Sequence, residues 1–214
     1  MSHIVSRQTW AVIDIDTTAG RVLVRQDCHY TWKLYSPTLS PWTQTQRRNF
    51  HNTLDRQIWG IWSNRVRLNV SGTADFSRRF TSGVLINFDI RWVTGVGQWN
   101  VTVRKMPAGS DRTTFRSFVD FAAKRIELDT MDLVPSAAGN AAGGSRANFL
   151  SGPHEFGHSI QSPDEYNAGS PNLSDTSSIM NVGRQVRPRH LQQILTTLNT
   201  MMPNVVFAAP AAIP

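Results

Sequence analysis

The sequence predicts an α+β fold: one mixed, twisted sheet with helices gathered around it. Three observations lead there. β-Branched stretches bracket short turns near the N-terminus and again through the middle third. One long amphipathic stretch separates those two regions. A compact helical segment carrying His154-Glu155-Phe156-Gly157-His158 follows the last strands, and a terminal helix follows it.

In order, residues 8–15 and 21–27 bracket Asp16-Thr17-Thr18-Ala19-Gly20, the signature of a hairpin, and His29 to Tyr35 is read as continuing the sheet. Pro37 and Pro41 break the pattern, and Thr43 or Thr45 can cap the helix that follows. Phe50, Leu54, Ile58, Ile61 and Trp62 recur at helical spacing, with Trp59 and Trp62 assigned to the core. Five further strands are expected, at Val66 to Val70, Val84 to Val93, Trp99 to Met106, Thr113 to Val119 and Lys124 to Asp129. The glycine- and alanine-rich run from Pro135 to Ser145 reads as a flexible connection. The motif helix should open at Ser145 or Asn148, or close to Ser151 given Pro153. A terminal helix is expected from Pro188 to about Met202, stopped by Pro203, with a frayed tail from Ala208 to Pro214.

Composition narrows the function classes. The net charge of +7 is carried almost entirely by arginine, scattered singly or in pairs such as Arg47-Arg48 and Arg78-Arg79. No dense basic tract or paired Cys/His spacing accompanies it, so nucleic acid is not the expected partner. No run is long and apolar enough to span a bilayer, and Met1 to Trp10 lacks the pattern of a secretory signal. Cys28 is the only cysteine, which excludes an intrachain disulfide and makes a buried, inert thiol the expectation.

The chemistry sits in His154-Glu155-Phe156-Gly157-His158. On a helix, residues four apart share a face, so both imidazoles can reach one metal ion while Glu155 stands beside it as a general base. The alternative is an ordinary helix with two surface histidines and a solvated glutamate. A catalytic zinc takes three protein ligands and leaves the fourth position to water. Asp164 and His190 compete for the third place, with Glu165 a weaker candidate. Tyr166 or His190 could stabilise the oxyanion.

Together with Asp164, six residues after His158, and Ser178-Ile179-Met180-Asn181, this pattern resembles the zincin metallopeptidases and their metzincin branch. The resemblance implies a zincin-like fold with a long packing helix, and a Met-turn in which Met180 forms an apolar floor beneath the metal. Gln161 stands where that pattern has glycine, and Val182 where a tyrosine is often found. The run through Pro163-Asp164-Glu165-Tyr166 to Arg187-Pro188-Arg189-His190 also resembles small bacterial metallopeptidase modules carried by type VI and related contractile secretion systems. That similarity covers roughly residues 150–195 and implies a delivered effector or toxin.

The expectation is therefore one metallopeptidase domain over residues 1–214. It comprises an N-terminal hairpin region (1–40), a helix and sheet (41–134), and the zinc-site helix, Met-turn and terminal helix (145–202). It would be a zinc hydrolase acting on a protein or peptide, cytoplasmic in the producing cell and exported, if at all, by a carrier rather than a cleaved signal. An extended segment from Thr113 to Phe118 could pair with substrate. The competing readings are a zincin-fold binding module without activity and a basic nucleic-acid-binding domain with a chance motif.

Overall fold

The computed structural model describes residues 2–110 and 114–213. Its architecture is α+β, built on a nine-stranded mixed sheet. The hairpin forms as expected, from β2 (Val12–Asp16) and β3 (Arg21–Leu34), and a further strand, β1 (His3–Arg7), pairs with β2. β3 is long enough to serve two neighbours along one side: its first half pairs with β2 and its second half, from Cys28, with β6 (Trp99–Lys105). On its other side it pairs in parallel with β5 (Val84–Val93). Antiparallel β4 (Val66–Gly72) lies outside β5. At the far end β6 pairs with β8 (Arg125–Asp129), and β8 with the short antiparallel edge strand β7 (Phe118–Asp120).

The long helix α1 (Gln44–Trp62) begins where Thr43 and Gln46 form a reciprocal capping box. Its apolar stripe of Phe50, Leu54, Ile58, Ile61 and Trp62 is buried. Trp59 is not a core residue; it is 38% exposed, because it lies around the helix beyond the edge of that stripe. Trp62 is fully buried and fixes the end of α1 against the motif helix. Its indole Nε1 donates to the Pro153 carbonyl at 3.0 Å, and its ring meets Phe88 and Phe156 edge-on. A short helix, α2 (Asp75–Arg79), interrupts the path from β4 to β5.

Three other expectations change. The run from Pro135 to Ser145 is not a plain linker: β9 (Ser136–Gly139) and β10 (Ser145–Phe149) form a separate hairpin there. Small residues fit closely paired strands as readily as a loop, and the Asn140 side chain holds the turn by accepting from Ala142 N and Gly144 N. The strand expected from Thr113 is confined to β7; residues 114–117 are irregular, and Thr113 lies outside the described residues. The tail does not fray at Ala208, since β11 (Val205–Ala208) pairs with β4 and buries Phe207. Cys28 is buried as expected, which pushes its thiol far above the usual range. No described helix is long and apolar enough to cross a membrane.

Removing the cap of α1 tests how much that helix depends on it. Thr43→Ala should lower unfolding free energy by about 1 kcal/mol, read from the urea midpoint at unchanged slope.

Candidate metal centre

The motif helix α3 runs from Ser151 to Ser159, so it opens neither at Ser145 nor at Asn148, which belong to β10. Pro153 occupies its third position, where a missing N–H costs nothing because the first amides of a helix have no carbonyl to reach. Eight of its nine residues are buried, so α3 is enclosed on both its apolar and its polar faces. Close approach explains both glycines. A Cβ on Gly152 would lie 2.6 Å from Leu54 Cδ1 of α1, and one on Gly157 would lie 2.2 Å from Met180 Sδ. Met180, fully buried, therefore packs directly against the motif helix.

His154 and His158 turn their Nε2 atoms to within 3.2 Å of each other. Their Nδ1 atoms face away, each 2.8 Å from a carbonyl oxygen, Ile179 O for His154 and Ser162 O for His158. A carbonyl can only accept, so both Nδ1 atoms carry the proton. With Nδ1 engaged in this way, Nε2 is the atom each ring turns toward the same point. Asp164 Oδ1 completes the group at 3.0 Å from His158 Nε2 and 3.3 Å from His154 Nε2. That oxygen is buried and has no hydrogen-bond donor. Three electron pairs pressed together repel unless a cation lies between them. The three separations match the roughly 3.3 Å edge of a tetrahedron whose bonds are ~2.0–2.1 Å, the size of a zinc site. Among the described residues this is the one cluster of three His, Cys, Asp or Glu side chains able to hold a metal.

Gln161 is what brings Asp164 there. The end of α3 closes with Ser162 N bonded to Gly157 O at 3.0 Å and Gln161 N to His158 O at 2.9 Å, a Schellman arrangement. This places Gln161 in the left-handed region, at φ 67°. The residue standing in glycine's place thus adopts the conformation that favours glycine, and the chain turns sharply back toward the histidines.

His190 is not brought to this group. It is buried, with Nδ1 accepting from Arg187 N at 3.0 Å and Nε2 facing Glu165 Oε1 at 3.2 Å and Ser178 Oγ at 3.3 Å. Glu165 faces the same way and takes a two-pronged bond from Arg189, which also reaches Asp175. Burial alone would raise the Glu165 carboxyl, but Arg189, His190 and Ser178 outweigh it and hold its pKa at about 2. Burial lowers the pKa of His190. Both residues brace the structure behind His154, His158 and Asp164, and both nitrogens of His190 are engaged by Arg187, Glu165 and Ser178.

A cleft of about 770 Å³ opens over the trio. One wall carries Arg116 to Val119, including the start of β7, and the other carries Ala137 to Gly139 of β9. Glu155 is 7% exposed and points into the cleft, its Oε2 without a partner, and burial above all raises its pKa. Tyr166 also lines the cleft, its ring 5.8 Å from His154 and its hydroxyl accepting from Arg116 at 2.8 Å. Burial and the Asp164 charge push that hydroxyl up to about 12, so it remains a proton donor. Asn140 and Asn181 have structural roles that single-residue inspection of the sequence does not expose. Asn181 bonds the carbonyls of Asn172 and Leu173, and Asn140 bonds Asn181, tying the β9–β10 hairpin to the Met180 turn.

No protein-family model matches the chain, and no curated protein or solved structure is significantly similar to it. Relief of the Gln161 backbone provides a direct test of the turn. Gln161→Gly removes the left-handed penalty of roughly 1–2 kcal/mol and adds glycine's entropy cost of about 0.5–1. The variant should therefore be more stable by up to about 1.5 kcal/mol in urea unfolding; a destabilised variant would contradict the assignment.

Proposed function

We propose that the chain is a zinc-dependent peptidase of zincin type, with His154, His158 and Asp164 as metal ligands and Glu155 as general base. The observation that carries this reading is the convergence of the Nε2 atoms of His154 and His158 and the buried Oδ1 of Asp164 on one point. A zinc ion held there supplies a Lewis-acid site and acidifies water at neutral pH. Glu155, desolvated and unpartnered, takes the proton from the attacking water and returns it to the departing amine. Its raised affinity for protons suits both halves of that task. Tyr166 lines the cleft with a protonated hydroxyl bonded to Asp164 and Arg116, and is the group we assign to stabilising the oxyanion.

The free edge of β7 beside the cleft supports an extended polypeptide as substrate, laid along the sheet with backbone pairing. Only Phe118 of the stretch first considered for this lies in the strand, so the pairing surface is Phe118–Asp120 and the residues leading into it. The resemblance to secretion-system metallopeptidase modules extends the proposal to a delivered effector.

Metal analysis of purified protein should find about one zinc per chain, and metal-free protein that fails to bind added zinc would remove the enzyme reading. Glu155→Gln should retain zinc and fold while proteolysis falls at least ~100-fold, the scale of a lost general base. Asp164→Ala should weaken zinc binding steeply. His190→Ala should leave zinc bound and instead cost stability, since it leaves Glu165 and Ser178 short of a buried partner. Loss of zinc from the His190 variant at unchanged stability would exchange the two roles.

A further inference from the structure

Beside the cleft lies a smaller pocket of about 240 Å³, between β10 and the loop that follows Met180. The two share the buried Val182 in their linings, so they adjoin one another across it. Two exposed arginines, Arg146 and Arg184, line the smaller pocket, and none of the residues lining it is acidic.

Both guanidinium groups are held by neutral oxygens. Arg146 Nη2 donates to Ser177 Oγ at 2.9 Å and Thr176 Oγ1 at 3.2 Å, and Arg184 Nε donates to the Asn148 carbonyl. Neither forms an ion pair with a described carboxylate. Asp175, the acid nearest in sequence, is engaged by Arg187 and Arg189. A guanidinium has five N–H donors in a fixed fork, so each head keeps donors for an incoming anion.

The pocket wall is built rather than incidental. Ser177 O accepts from both Arg184 N at 3.0 Å and Gln185 N at 2.8 Å, folding the loop tightly on itself. A Cβ at Gly183 would lie 2.1 Å from that same carbonyl, so the fold of this loop requires glycine there. On the other side, pairing of β10 with β9 shifts register between Arg146 and Phe149. The bulge leaves Asn148 O free of the ladder to hold Arg184.

We propose that this pocket is an exosite for carboxylate side chains on an acidic stretch of the substrate polypeptide, a selectivity that rests on the peptidase reading of the adjoining cleft. Arg146 and Arg184 are the cations lining the pocket that adjoins the cleft at Val182. Arg116 adds a third guanidinium on the cleft itself, bonded to the Tyr166 hydroxyl and to no described carboxylate. Aspartate and glutamate side chains match the forked donors and the small volume. No aromatic side chain lines the pocket to stack a base, which sets single-stranded nucleic acid aside.

The test separates binding from cleavage. Zinc-loaded Glu155→Gln protein is titrated against fluorescein-labelled hexaglutamate, hexaglutamine and hexalysine peptides, read by anisotropy at low salt. Hexaglutamate should bind best and weaken as salt is raised, and Arg146→Ser with Arg184→Ser should weaken it about tenfold or more. Arg146→Lys with Arg184→Lys, which keeps the charge, should retain part of the binding and controls for loss of fold. Equal binding of hexaglutamate and hexaglutamine, or no change in the serine variant, would overturn the exosite, as would a thymidine oligonucleotide displacing hexaglutamate at lower concentration. The two readings fail separately. Charge-selective binding with no cleavage of any peptide by the zinc-loaded wild type would count against the peptidase alone. Cleavage of acidic and neutral peptides at equal rates would count against the exosite alone.

Discussion

A helix that carries two histidines and a glutamate, yet is enclosed on nearly every face, sets the terms for the rest of this protein. Burying polar side chains costs free energy unless each finds a partner, so the elements around α3 must supply them. Ile179 and Ser162 give up carbonyls to the outer nitrogens of the two imidazoles. Trp62 caps the Pro153 carbonyl from α1, and Gln26 of β3 exchanges hydrogen bonds with Ser159. What remains after those pairings is a short list of atoms without donors, and Glu155 Oε2 and Asp164 Oδ1 are on it. Arg47, Asp55 and Gln57 of α1 contribute the other three unpartnered atoms, while Glu155 and Asp164 both line the cleft.

The adjacent acids Asp164 and Glu165 divide two tasks between them. After the turn at Gln161, Asp164 faces the histidines while Glu165, at a bend, faces Arg189 and His190. Glu165 receives Arg189, His190 and Ser178, and its backbone N–H bonds Met180 O at 2.8 Å. The segment is therefore anchored to the Met180 turn by Glu165, and Asp164 is held in place by its neighbour. A buried ion pair contributes little net stability over an apolar contact, but breaking one is expensive, which makes it suited to fixing a position. Arg187 and Arg189 converge on Asp175 in the same way, locking the segment that leads into the terminal helix α4 (Gln192–Met201).

Much of this was legible in the sequence where local rules decide the outcome. The helical spacing from Phe50 to Trp62 with Thr43 before it gave α1, and alternation gave β5 and β6 almost to the residue. The pairing of His154 with His158 follows from helix geometry alone. The misses share a cause, which is tertiary context. β11 is only four residues long and β9 is built of small residues that read equally well as a loop, so both strands depend on context: β4 offers an edge and Asn140 holds a turn. Trp59 and Trp62 differ by less than one helical turn, so composition could not say which faced the core. Spacing favoured Asp164 over His190 without excluding the latter; the direction of the Arg187 amide and the Glu165 carboxylate separates them.

Gln161 shows how a departure from a pattern can preserve the geometry behind it. Glycine favours the left-handed turn that ends such a helix because it has no Cβ, but the requirement is conformational and other residues can meet it at a cost of roughly 1–2 kcal/mol. That cost is small beside the burial around it. Ile160 and Ile179 are fully enclosed on either side of the turn, and Ser162 both ends the helix and carries the carbonyl that orients His158. A straighter exit from α3 would move Ser162 away from His158 and Asp164 away from both imidazoles. The strained backbone at one exposed glutamine thus holds together three things at once: the end of the helix, the tautomer of one histidine, and the approach of the carboxylate.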